Sequence, residues 1–143
     1  MKLRKAIFIV TYKKEKDKIL YLLLKRKLHW KGWEFPKGGI ESNENLKKSV
    51  KREAFEESGL IAAKINQFNV SGKYKYDKIY TDRPGFSGQT YKLFSTQVKP
   101  GKTKFDKREH SGFKWLNFKD AIKSLSWPNQ KKCLTIVNKF LTK

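Results

Sequence analysis

Apolar residues gather into short, bounded runs along the chain, and each run has the composition of a strand or the spacing of a helix. "KAIFIVTY", Lys5 to Tyr12, is rich in β-branched and aromatic residues and predicts a strand. The charged turn "KKEKDK" follows. "ILYLLLKRK" then returns as a second, more buried strand, so the two read as a hairpin. "LHWKGWEFPKGG" is dense in Gly, Pro and Trp, which predicts a structured loop with a short strand at Trp33 to Phe35.

Leu46, Val50 and Ala54 recur every four residues, the apolar stripe of a helix lying on a core. Ser42 or Asn43 is the expected N-cap, Glu44 falls in the first turn where the macrodipole favours it, and Gly59 fits just past the C-terminus. "LIAAKINQFNVSG" begins a strand-rich stretch, with "KYKYDKIYT" as the next strand, "DRPGFSG" as a loop and "QTYKLFSTQV" as a further strand. After the turn "KPGK", "FKWLNF" predicts a short strand and "KDAIKSL" a helix capped by Asn117. Pro128 suits the first turn of a last helix, with Cys133, Ile136, Val137 and Phe140 on one face. Without an internal repeat, linker or low-complexity tract, the 143 residues read as a single domain, residues 1–143. Its expected class is α/β (α+β), with a mixed, largely antiparallel sheet.

Composition narrows the classes. Hydrophobic content of 38% and aromatic content of 14% suit a globular fold. One cysteine, Cys133, excludes an internal disulfide framework, and no Cys/His spacing suggests zinc. The apolar run near the N-terminus is about seven residues long and alternates into charge, so it reads as a strand rather than a signal peptide. No segment approaches the ~20 apolar residues of a membrane helix. The expectation is a cytoplasmic protein with no membrane association and no obligate protein partner. The net charge of +21, from 34 Lys and Arg against 13 Asp and Glu, implies attraction to polyanions without choosing among nucleotides, RNA, DNA and acidic membranes.

Against that basic background, Glu53, Glu56 and Glu57 share one surface of the central helix, because residues three and four apart are neighbours there. They repel one another and sit at the helix end where the dipole disfavours negative charge. Arg52 and Lys51 are nearby counter-charges, so a solvated acidic face is one reading. A bound divalent cation reverses the balance, since clustered hard oxygen ligands are what Mg²⁺ or Mn²⁺ takes.

The spacing of the whole segment adds a resemblance. From Gly38, five residues lead to Glu44 and seven more to Arg52-Glu53, followed by Ala54, Phe55, Glu56-Glu57, Ser58, Gly59 and Leu60. This is similar to the Nudix box, G-x5-E-x7-R-E-U-x-E-E-x-G-U with U aliphatic, at every specified position, Ala54 being a small residue where a larger aliphatic is commoner. The chain therefore resembles the Nudix hydrolases. The resemblance implies a Nudix fold, a mixed sheet sandwiched between helices (α/β/α sandwich). It also implies cleavage of a diphosphate linkage by water attack on phosphorus, with Mg²⁺ (or Mn²⁺) as cofactor. Glu53, Glu56 and Glu57 would then be metal ligands, completed by a backbone carbonyl at Lys37 or Gly38. Arg52 would orient the carboxylates, Glu44 would brace the loop–helix geometry, and Gly59 would end the helix. Family members differ in their general base, and "KFDKREHSGFKW" offers Glu109, with Asp106 behind it.

Residues outside the box bear on the substrate. "WEFPKGGIE", Trp33 to Glu41, resembles the segment before the box in asymmetric diadenosine tetraphosphate hydrolases and in RNA 5′-pyrophosphohydrolases and decapping enzymes. "SGQTYKLFSTQV" is similar to a Gly-Gln strand of bacterial RNA pyrophosphohydrolases and plant-type tetraphosphate hydrolases, but has Leu93-Phe94 in place of the usual Trp beside Phe. "REHSGFKWLNFKDAIKSL" resembles the C-terminal part of animal-type and archaeal tetraphosphate hydrolases. A nucleoside polyphosphate is thus the expected substrate, dinucleoside polyphosphates first and an RNA 5′ end second. A non-catalytic nucleic-acid-binding module on a decayed scaffold is the third reading, weakened by the intact box. Lys37, Arg83 and Lys92 are candidates to reach phosphates. Tyr74, Tyr76 and Tyr80 are candidates to stack on a base, Tyr76 foremost. Trp33 and Trp115 are expected to pack the core or cleft wall. His29 and His110 are expected as polar loop residues, with His110 beside Glu109 the better contributor.

Overall fold

Strand β1 (Lys2–Glu15) holds the centre of the sheet, and its side chains explain why. Phe8, Val10 and Tyr12 point to one face and Ile7 and Ile9 to the other, all buried, so both faces must be covered. The computed structural model describes residues 2–41, 43–78 and 80–143. After β1 come β2 (Lys18–Arg26), β3 (Gly32–Glu34), β4 (Lys37–Gly39), α1 (Leu46–Ser58), β5 (Ala62–Lys75), β6 (Phe86–Val98), β7 (His110–Leu116), α2 (Phe118–Ser124) and α3 (Pro128–Leu141). The strands form one seven-stranded sheet in the order β3-β2-β1-β6-β5, with β4 paired to β1 and β7 to β2.

Ile7, Ile9, Phe94 and Val50 of α1 close one face; Phe8, Val10, Tyr12, Leu93 and the α2–α3 residues Ala121, Cys133, Leu134 and Val137 close the other. This is the expected α/β/α sandwich. The expected hairpin of β1 and β2 forms, with Tyr12 opposite Tyr21 and Glu15 opposite Lys18.

The sheet is mixed and largely antiparallel, as expected; among the described strands only β1 and β6 pair in parallel, from Lys2 with Phe86 to Tyr12 with Gln97. A parallel partner needs a long crossover, and here the intervening β4, α1 and β5 supply it. Two other expectations are corrected. "LIAAKINQFNVSG" and "KYKYDKIYT" do not make two strands. β5 runs unbroken to Lys75, kinked by a register shift between Gln67 and Ser71, and the chain leaves the sheet at Tyr76. On α3, Cys133 and Val137 are buried as expected, but Phe140 is 47% exposed, and Leu134, outside the expected set, is buried.

Helix α1 begins later than expected. Asn45 is its N-cap, accepting from the Lys48 N–H at 2.8 Å, while Asn43 has φ of 63° and Ser42 lies outside the described residues. Glu44 therefore precedes the helix instead of entering its first turn. Gly59 ends the helix with φ of 73°, a left-handed conformation that glycine adopts without strain, and its N–H donates to Phe55 O at 2.7 Å. Val50 and Ala54 are fully buried beneath α1, which stabilises the helix on the sheet by roughly 1.5–3 kcal/mol for the valine alone. None of the described helices is long and apolar enough to cross a membrane.

Candidate metal and phosphate site

Short β4 decides where the box lies. It pairs with Ala6, Ile7 and Phe8 of β1, and so carries Gly38 against the end of α1. A Cβ on Gly38 would fall onto the carboxyl group of Glu53, so that only glycine leaves room for the carboxylate. A cleft of about 330 Å³ opens here. Arg4, Arg26, Lys37 and Arg83 bring positive charge to its wall; Glu53, Glu56 and Glu109 bring negative charge.

Arg52 organises the box from behind. Its Nε and Nη2 donate to Glu44 at 2.8 Å, Nη1 donates to Glu53 at 2.6 Å, and Nη2 donates to Gly39 O at 2.9 Å. Glu44 also accepts from Ser49 Oγ at 2.6 Å, so the loop, β4 and α1 are tied at one guanidinium. These bonds from Arg52 and Ser49 hold the Glu44 carboxyl down at about 2. Burial pushes Glu53 up to about 7 in spite of Arg52, with Glu56 and Glu109 adding repulsion. Glu57, 2% exposed, is raised well above the usual carboxylate range by burial and by the charges of Glu109, Glu34 and Glu53. Glu56 is the exposed member, 3.4 Å from Arg52 Nη1.

Beneath the cleft lies a second, fully buried layer. His110 Nε2 is 2.7 Å from Glu34 Oε2, and Arg26 Nη1 donates to the same oxygen at 3.2 Å. Lys37 Nζ sits 3.3 Å from Glu34 Oε1. Burial alone would raise Glu34, yet Lys37, His110 and Arg26 overcome it and hold the carboxyl at about 2. Arg26 Nη1 also reaches Glu109 at 3.4 Å. Among the described residues, donor atoms of Glu57, Glu109 and His110 converge within 4.8 Å of one another.

These residues fit a divalent cation: Glu57 Oε2 is buried without a hydrogen-bond partner, two carboxyls are kept from ionising easily, and Gly38 leaves a cradle beside Glu53. The sign of the pH dependence follows. Glu53 takes a proton near 7 when folded, against an ordinary value of 4.5, so the folded chain binds the extra proton. The raised group makes metal-free stability fall as pH rises from about 4.5 through about 7, and Glu57 acts in the same direction. A cation offsets that loss only where the carboxyls are ionised. Saturating Mg²⁺ or Mn²⁺ is expected to raise Tm by several degrees near pH 8, at about 2.7 kcal/mol for a hundredfold excess over Kd, and far less near pH 5.5. Equal shifts at both pH values, read by scanning fluorimetry, would place the cation elsewhere.

A larger cavity of about 480 Å³ adjoins the cleft, and Arg26, Lys37 and Arg83 line both. Its walls are aromatic: Trp30 meets Trp127 edge-on at 5.2 Å, Tyr76 meets Tyr80 at 5.2 Å, and His29 stacks on Tyr80 at 4.0 Å. Tyr76 Oη donates to Gln89 Oε1 at 2.9 Å and accepts from Arg83 at 3.1 Å; the Arg83 guanidinium lies 5.3 Å from the Tyr76 ring. Just past β5, Tyr76 N still donates to Ser87 O at 2.8 Å, so its ring keeps the alternation of the strand and lines the cavity together with Tyr74 two residues earlier.

The structure gathers Lys37, Gly38, Glu53, Glu56, Arg83 and Glu109 around the cleft, with Asp106 at its rim bonded to Arg108. Lys92 is a correction. It is exposed on β6 and lines neither cavity, because it falls an odd number of residues from Gln89 and points to the opposite face of the strand. Trp33 packs against the core under Lys114, and Trp115 donates to Thr103 beside Lys13. His110 is no polar loop residue but a buried strand residue, and His29 is held in the aromatic cavity by Asp82 at 3.0 Å. Sequence reasoning missed Glu34, Arg26, Arg4, Trp30 and Trp127. For Arg26 a signal existed: it continues the buried alternation of Leu22 and Leu24, where a charge needs a buried partner.

Sandwich, box and cleft together define a Nudix-type domain, and the chain belongs to that family: the NUDIX domain model matches residues 2–135. Among curated relatives, an RNA pyrophosphohydrolase of Histophilus somni is 30% identical over 97 residues, 60% of this chain and 50% of the relative. An 8-oxo-dGTP diphosphatase of Buchnera aphidicola is 34% identical over 97 residues, 68% of this chain and 64% of the relative. The chain thus spans about half the length of the first of these. In fold it is similar to a Caenorhabditis elegans Ap4A hydrolase in a binary complex, with a TM-score of 0.79 and 23% identity over 98% of both chains.

Proposed function

We propose that this chain is a divalent-metal-dependent pyrophosphohydrolase that cleaves a phosphoanhydride bond in a nucleoside polyphosphate, with dinucleoside polyphosphates such as diadenosine tetraphosphate as its preferred class. The observation that carries the reading is the junction of the two cavities: an aromatic chamber sized for a base opens through Arg26, Lys37 and Arg83 onto the glutamate cleft. A base stacks in the chamber, the cations receive the phosphates, and the chain of phosphates leads to the box.

A bound Mg²⁺ or Mn²⁺ supplies charge neutralisation at phosphorus and acidifies the attacking water. The chain's own residues do the rest. Glu53, Glu56 and Glu57 hold the cation, with the Gly38 carbonyl as a further oxygen. Arg52 keeps Glu53 aimed. One oxygen of Glu109, a third exposed at the cleft wall, is placed to accept the proton of the attacking water, which leaves the other oxygen for a cation. The curated relatives named RNA pyrophosphohydrolase and the net charge of +21 support a second reading, removal of pyrophosphate from an RNA 5′ end.

A panel of diadenosine tetraphosphate, nucleoside triphosphates, 8-oxo-dGTP, ADP-ribose and 5′-triphosphate RNA, each with Mg²⁺ and with Mn²⁺, separates the readings. The dinucleotide is expected to have the highest kcat/KM. A higher value for the RNA, with steep salt dependence, would move the substrate to the second reading, and no turnover of any member would sink the enzymatic one. Tyr76→Ala is expected to raise KM about 5- to 100-fold, the 1–3 kcal/mol of a stacked base, with kcat little changed. An unchanged KM would remove the base from this chamber.

A further inference from the structure

His110 is buried between two carboxylates from different elements. Its Nε2 lies 2.7 Å from Glu34 Oε2, and its Nδ1 lies 3.4 Å from Glu57 Oε2. Glu34 also accepts from Arg26 and faces Lys37, and it is placed to take the Nε2 proton of His110. Nδ1 then faces the Glu57 carboxyl, and Nδ1 and Glu57 Oε2 are both buried without a hydrogen-bond partner. A cation between them gives both atoms a partner. Glu109 adds a third donor atom, all three lying within 4.8 Å of one another. The pair Glu109-His110 is pinned by its backbone: Glu109 O accepts from Lys27 N at 2.9 Å, and His110 N donates to Asp106 O at 3.0 Å.

We propose that Glu57, Glu109 and His110 Nδ1 form a mixed nitrogen–oxygen site that takes a first-row transition cation in preference to Mg²⁺. The inference rests on the metal-dependent reading above and adds to it a nitrogen ligand, beneath the cleft, that an all-carboxylate box lacks. Imidazole suits transition cations, whereas Mg²⁺ prefers oxygen and keeps its waters. Glu34 is the outer carboxylate that fixes the orientation of the ring. Arg26 and Lys37 hold Glu34 in place while leaving Nδ1 uncovered.

Pulsed EPR of Mn²⁺ bound to the whole chain, without nucleotide, tests this. The expected spectrum shows ¹⁴N coupling of a directly coordinated imidazole, replaced by ¹⁵N coupling when the protein is made with ¹⁵N-histidine. The chain has two histidines, so His29→Gln should keep the coupling and His110→Gln should lose it. In His110→Gln the ratio of Mn²⁺ to Mg²⁺ affinity is expected to fall about ten- to a hundredfold. Only water and carboxylate couplings at every Mn²⁺ loading would overturn the site, whatever the chain hydrolyses. Intact ¹⁴N coupling in a chain that hydrolyses nothing would overturn the proposed function and leave the site standing. If His110→Gln fails to fold, ¹⁵N-histidine labelling of the His29→Gln chain, which has His110 as its one histidine, decides alone.

Discussion

Glu57→Gln is expected to lower kcat for diphosphate hydrolysis about a thousandfold or more and, at the same time, to raise the Tm of the metal-free protein near pH 8. The two effects have one cause. Glu57 is buried among Glu34, Glu53 and Glu109, which disfavour its charge. Keeping it ionised at neutral pH is a standing cost to the folded chain, because burial and the neighbouring carboxylates both oppose the charge. The amide removes the charge and can donate to His110 Nδ1, an unmet acceptor. What is lost, on the proposed function, is a ligand whose negative charge would hold the cation, and a thousandfold in rate corresponds to about 4 kcal/mol at the transition state. Activity and thermal melts on the same preparation check both halves. A variant that is less stable without metal, or that keeps its activity, contradicts this account of the box.

Gly38→Ala is expected to separate site from fold in the opposite way. The added methyl meets the far end of the Glu53 side chain, which can swing aside, so Tm without metal should change by less than about 1 kcal/mol of stability. The displaced carboxylate no longer faces the cleft, and cation affinity should fall about ten- to a hundredfold, with kcat/KM falling at least as far. Calorimetric titration with Mn²⁺ alongside a melt gives the answer. A large loss of stability with cation affinity unchanged would mean that Gly38 serves the backbone of β4 rather than the carboxylate.

Glu53, Glu56 and Glu57 were legible as one helical face, because local periodicity converts directly into a shared surface, while the roles of Gly38, Glu44, Arg52 and Gly59 came from the resemblance of one unbroken segment to the Nudix box. The buried layer was not. Glu34, Arg26 and His110 come from β3, β2 and β7, and they meet only because Leu24 registers with Glu34 and Arg26 with His110. Register between distant strands is set by three-dimensional packing, which a single strand's pattern does not contain. The same limit hid the parallel pairing of β1 with β6. Lys92 was misjudged for a simpler reason: a strand's two faces alternate, and charge alone does not say which face a lysine takes. Tyr76 was chosen for its ring, and the alternation it shares with Tyr74 at the end of β5 is what turns that ring into the chamber.

The central pairing also governs when the cleft comes into existence. All the box residues lie before Leu60, yet the strand that seats Gly38 has β6 as its other neighbour, and β6 ends only at Val98. Contacts so far apart in sequence form late, after loop closure has been overcome. During synthesis, the glutamates of the box therefore emerge long before the scaffold that aims them. On the proposed function, tight cation binding should need β6 as well as the box, and a fragment ending after the box should carry the motif without the cradle.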